Sequence, residues 1–70
     1  MRLTDTELKV YNLIVKDRCF KRQEIADKMG LTVNTVAFHL GNIYTKLGLE
    51  HNSITNIVFD YEERLKKHGY

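Results

Sequence analysis

The sequence predicts an all-α fold, a four-helix domain containing a helix-turn-helix. Apolar residues recur at the 3.6-residue helical period in separate segments along the chain. Proline is absent and glycine is sparse, so little interrupts a helix. Between residues 23 and 47 a short helical segment, a glycine-containing turn and a longer helical segment follow one another, which is the order of a helix-turn-helix.

The first helix is expected from about Asp5 to Lys16. Thr4-Asp5-Thr6-Glu7 has the spacing of a capping box, with the Thr4 hydroxyl serving the Glu7 N–H and the Glu7 carboxylate reaching back to the Thr4 N–H. Leu3 and Leu8 fall at the positions of a hydrophobic staple. Leu8, Tyr11, Ile14 and Val15 are expected to form the buried stripe, widened by Val10 and Leu13. The connection from Asp17 to Lys21 reads as a basic loop anchored by Phe20, with Cys19 a small, partly buried residue.

Residues 23–29 read as a short helix with Ile25, Ala26 and Met29 inward. Gly30 falls where a left-handed residue closes a helix, and Thr32 is the expected N-cap of the next, bonding the Thr35 N–H. That next helix, about 33–47, has two unlike faces. Val36, Leu40, Ile43 and Leu47 make an apolar stripe flanked by Val33 and Tyr44. The opposite face carries Asn34, Ala37, Phe38, Gly41 and Thr45, without a charge. A helix facing only water usually carries Lys, Glu or Arg there. The pattern by itself fits a DNA-reading helix and a plain αα-hairpin of a small bundle equally.

Gly48 is expected to close the long helix with Leu49 packing back on it, and Asn52 or Ser53 to cap a fourth helix. Ile54, Ile57, Val58, Tyr61 and Leu65 give that helix its stripe, with Phe59 about opposite.

At 70 residues the chain is read as one domain, 1–70. A single cysteine excludes an internal disulfide and fits a reducing, cytoplasmic setting. No apolar run approaches membrane-spanning length, and no signal peptide opens the chain. The net charge of +2 is unevenly placed: residues 16–46 carry six basic against three acidic groups, and residues 49–70 three against four. The positive excess therefore coincides with the helix-turn-helix, which suits phosphate contact.

No catalytic residue, metal ligand or cofactor is expected. His39 lies at the edge of a buried stripe and reads as a structural histidine bonding a neighbouring helix or loop. His51 and His68 have no ligand spacing with it, and the carboxylates are scattered without a pair for acid–base work.

Leu3-Thr4, Glu7, Glu24-Ile25-Ala26, Leu31-Thr32, Thr35-Val36, His39, Asn42-Ile43 and Lys46-Leu47-Gly48 together resemble the LuxR-type (GerE-like) DNA-binding domain. The Phe38-His39 pair is most similar to the quorum-sensing branch. The resemblance covers about Leu3 to Val58 and implies a four-helix domain that binds double-stranded DNA as a dimer and regulates bacterial transcription. It implies that positions 37, 38 and 41 face the major groove, and that Lys46 and the residues opening the second helix, here Lys21 and Arg22, meet phosphates. Thr32, Asn34, Thr35, Asn42 and Thr45 complete the expected DNA-binding set. The fourth helix would carry the homodimer contact, for which Phe59, with Thr55 and Glu62 beside it, is the expected anchor. RNA polymerase or another regulator are further candidate partners.

The chain departs from the family pattern where basic residues are common. Ala37 and Asn52 stand at two such positions, Gly41 stands at one that is often polar or basic, and the first inter-helix loop is longer and lacks the family's glycine. The neutral surface of Ala37, Phe38 and Gly41 motivates an alternative function, a protein-interaction module of the same fold that pairs with another regulator and binds DNA weakly. The start at Met1 and a helix running to the end favour a complete small regulator over a domain cut from a larger one. Operator sequence, activation or repression, and the controlling signal are not written in these residues.

Overall fold

The computed structural model describes residues 3–49 and 53–67. Within them the chain forms α1 (Asp5–Val15), α2 (Arg22–Met29), α3 (Val33–Leu47) and α4 (Ile54–Lys67), with no strand among the described residues. Both α1 and α2 pack on α3, and α4 packs on α1. One core joins them: Val10, Ile14, Ile25, Val36, Leu40, Ile43 and Ile57 are fully buried. Each such side chain contributes on the order of 1.5–3 kcal/mol by leaving water.

The helix ends form as their residues dictate. The Glu7 N–H donates to Thr4 Oγ1 (3.2 Å) and the Thr4 N–H to Glu7 Oε1 (2.9 Å), completing the capping box. Gly30, at φ 67°, and Gly48, at φ 71°, close α2 and α3 in the left-handed conformation that a Cβ disfavours. The Thr35 N–H donates to Thr32 Oγ1 (3.2 Å), and the Leu49 N–H to the Tyr44 carbonyl (2.9 Å), as the cap and the back-packing Leu49 require. For α4 the expected cap Asn52 lies outside the described residues. Ser53 adjoins the helix, and its carbonyl accepts the Asn56 N–H at 3.0 Å.

Several packing expectations need correction. Leu8 is 46% exposed, so the buried side of α1 is centred on Glu7, Val10, Ile14 and Val15. Val10 is part of the core rather than its margin. Phe20 does not anchor the first loop: it is 49% exposed, and Cys19 turns inward in its place. Arg18 takes φ 57° at the end of α1, so a basic residue holds a left-handed position that usually falls to glycine. The Cys19 N–H then reaches the Leu13 carbonyl at 3.0 Å, and that reversal points Cys19 inward. Val33, expected beside the apolar stripe of α3, is exposed, whereas Tyr44 is buried.

Candidate nucleic-acid interface

Helix α3 is held from one side only. Val36, Leu40 and Ile43 bury their side chains against the other helices, and this fixes which residues turn outward. Asn34, Ala37, Phe38 and Thr45 are exposed on that outer side, with Gly41 half-exposed among them. Phe38 leaves 66% of its surface in solvent. Its ring meets that of His39 in a T-shaped arrangement, at a centroid distance of 5.6 Å and an interplanar angle of 66°. Among the described residues that ring is the partner of His39, in place of the expected hydrogen bond to a neighbouring helix or loop.

The hydroxyls of this surface are mostly engaged locally. Thr45 Oγ1 donates to the Gly41 carbonyl at 3.0 Å. Thr32 and Thr35 share a hydroxyl–hydroxyl bond of 2.9 Å at the helix start. Asn42 is half-buried at the margin of the face.

Positive charge comes from α2 and the loop before it. Lys21 and Arg22 are exposed, and Lys21 is the N-cap of α2 without any side-chain cap hydrogen bond. The Lys21 side chain therefore does not cap the first N–H groups of α2, which open the helix beside two cations. Lys46 behaves differently. Its ammonium donates to Glu7 Oε1 at 2.5 Å, joining the last turn of α3 to the capping box of α1. Glu7 is the one charged group in the core among the described residues, 4% exposed. The Lys46 ammonium, and next the Thr4 N–H, hold its carboxyl below the ordinary carboxylate value. A buried carboxylate without its cation is costly, so Lys46 has a role in stability whatever it does at DNA.

Tyr44 places its hydroxyl in the interior with no hydrogen-bond partner among the described residues. Burial pushes its pKa up, against a smaller opposing effect of the Arg22 charge. On α4, Thr55, Phe59 and Glu62 are all exposed, with Phe59 at 62%.

The expected residues are therefore dispersed: Thr55, Phe59 and Glu62 lie on α4, Thr32 and Thr35 at the start of α3, and Asn42 at the margin of its outer side. Asn34, Ala37, Phe38, Gly41 and Thr45 share the outer side of α3. Lys21 and Arg22 open α2, and Lys46 is drawn toward α1. Reasoning from sequence gave Glu7 only a capping role. The signal for more was its spacing, since Glu7, Val10 and Ile14 follow i, i+3, i+7 and put the carboxylate on the buried stripe.

A short helix, a left-handed glycine turn and a longer helix with an uncharged outer face define a helix-turn-helix protein. The family model described as bacterial regulatory proteins, luxR family (GerE), matches residues 1–58, and the chain belongs to that family of DNA-binding transcription regulators. No curated protein and no solved structure matches it. Among the described residues no helix is long and apolar enough to cross a membrane, and no group of His, Cys, Asp and Glu could hold a metal ion.

Proposed function

We propose that the domain binds specific double-stranded DNA sequences as a homodimer, with α3 in the major groove. The observation that carries this reading is the outer side of α3, where a large aromatic and small uncharged groups face solvent on a helix otherwise anchored in the core. A major groove admits a helix and offers base edges and thymine methyl groups to such a surface. Lys21, Arg22 and the uncapped start of α2 supply phosphate contact, and Lys46 contributes what its bond to Glu7 leaves available. Phe59 anchors the second subunit from the exposed side of α4, with Thr55 and Glu62 as its rim. Two domains joined this way read half-sites about 10 base pairs apart, centre to centre.

Selection of bound duplexes from a random library, followed by a salt titration on the enriched sequence, tests the reading. Phosphate neutralisation gives a negative slope of log affinity against log salt, about −0.9 per phosphate contacted. Phe59→Glu should keep the helical content of the monomer and abolish cooperative binding to a duplex with two half-sites. Equal, non-cooperative binding by wild type and variant would remove the dimer through α4.

The neutral Ala37 and Gly41 surface favours one other reading, a module of this fold that pairs with another regulator and binds DNA weakly. A flat salt response and no enriched sequence would select it.

A further inference from the structure

Gly41 occupies the middle of α3 with ordinary helical geometry, since positive φ among the described glycines is confined to Gly30 and Gly48. Its backbone does not require glycine. Packing does not require it either, because a Cβ built there meets nothing within 4 Å. Glycine is the poorest helix former after proline. The domain thus holds an unfavourable residue where its own fold has room for a side chain. Such conflicts between local preference and fold collect at functional positions.

The surroundings indicate what would take the room. Phe38, three residues before, presents an exposed ring, and Ala37, four before, an exposed methyl; both lie on the same side of the helix as Gly41. Thr45, four residues after, spends its hydroxyl proton on the Gly41 carbonyl. The patch therefore offers apolar contact and close approach, with no cation. A phosphate calls for donors or positive charge, which lie instead at the start of α2. The apolar group that base pairs present in the major groove is the 5-methyl of thymine.

We propose that the gap over Gly41, bounded by Ala37 and Phe38, seats a thymine 5-methyl group. Gly41 then sets how closely α3 approaches the base pairs and which base is accepted at that point. The proposal rests on the reading of α3 as the DNA-contacting helix, and it adds the base and the residue that admits it.

The test uses the duplex enriched by the wild-type chain, and the same duplex with each thymine in turn replaced by deoxyuridine, which removes only the methyl group. At one thymine per half-site this replacement should weaken wild-type binding about fourfold, the effect of one buried methyl-sized group. Gly41→Ala should bind the thymine duplex about tenfold more weakly, and should be indifferent to deoxyuridine at that same position. The free variant should melt about 2–8 °C higher, because alanine is the better helix former. Equal affinity of wild type and variant overturns the proposal, as does a wild type insensitive to every deoxyuridine. A lower melting temperature for Gly41→Ala also overturns it, by making glycine a requirement of the fold. A wild-type chain that enriches no duplex overturns the DNA reading and this proposal with it.

Discussion

On the inner side of α3, Val36, Leu40 and Ile43 are fully buried; on its outer side Phe38, the largest apolar residue of the helix, stands mostly in solvent. Hydrophobicity alone does not separate the two sides, since both carry a large apolar side chain and neither carries a charge. What separates them is phase around the helix and the partners that phase provides. The inner residues meet α1 and α2, whereas among the described residues Phe38 meets the ring of His39. An apolar side chain that gains nothing from its own fold is available to another molecule. The same contrast recurs on α4, where Ile57 is buried and Phe59 exposed.

Paired substitutions break or sharpen this contrast. Leu40→Ala should destabilise the domain by about 2–5 kcal/mol in a urea titration, through lost burial and the cavity left behind. The fraction that remains folded should bind DNA with nearly unchanged affinity. Phe38→Ala should do the reverse. Binding to the enriched duplex should weaken by about 1–3 kcal/mol, while stability stays within about 0.5 kcal/mol, as for most surface substitutions. A fall in melting temperature with DNA binding intact would assign Phe38 to the fold.

The smallest effect belongs to the seam between the two sides, where Lys46 bonds Glu7. Because Lys46 and the Thr4 N–H lower the Glu7 pKa from its ordinary 4.5, the carboxylate's contribution to stability is complete above that value. It is lost as pH falls from there through the folded-state value. Wild type should therefore lose melting temperature on acidification below about pH 4.5 more steeply than Glu7→Gln. Parallel acid profiles for the two proteins would remove the linkage.

The four helices were legible in the sequence from their apolar period, and several of their ends are chemically marked. Thr4 with Glu7, Thr32 with Thr35, and the glycines at 30 and 48 each form the cap that their residue type predicts. The phase of α3 was legible too, since its stripe is long and interrupted by no ambiguous residue. Phase failed on α1, where the expected buried stripe includes Leu8 and leaves Glu7 as a capping residue. Hydropathy alone ranks a leucine above a glutamate for burial. Only the arrival of Lys46, 39 positions away, makes the carboxylate tolerable in the core. The first loop failed for a related reason. Its direction depends on Arg18 adopting a left-handed conformation, which residue preference argues against, and that turn sends Cys19 inward and Phe20 out. The expected interface on α3 follows directly from its phase. The engagement of Lys46 could not be anticipated from spacing, because it depends on how α1 lies across α3.

The proposed division of α3 into a side that folds and a side that reads DNA is tested most directly by a residue-resolved titration. Backbone amide chemical shifts of the 70-residue chain would be followed as the enriched duplex is added. The division predicts the largest changes at Asn34, Ala37, Phe38, Gly41 and Thr45, accompanied by Lys21 and Arg22. Changes confined to α1 and α4, with the outer side of α3 unmoved, would contradict it.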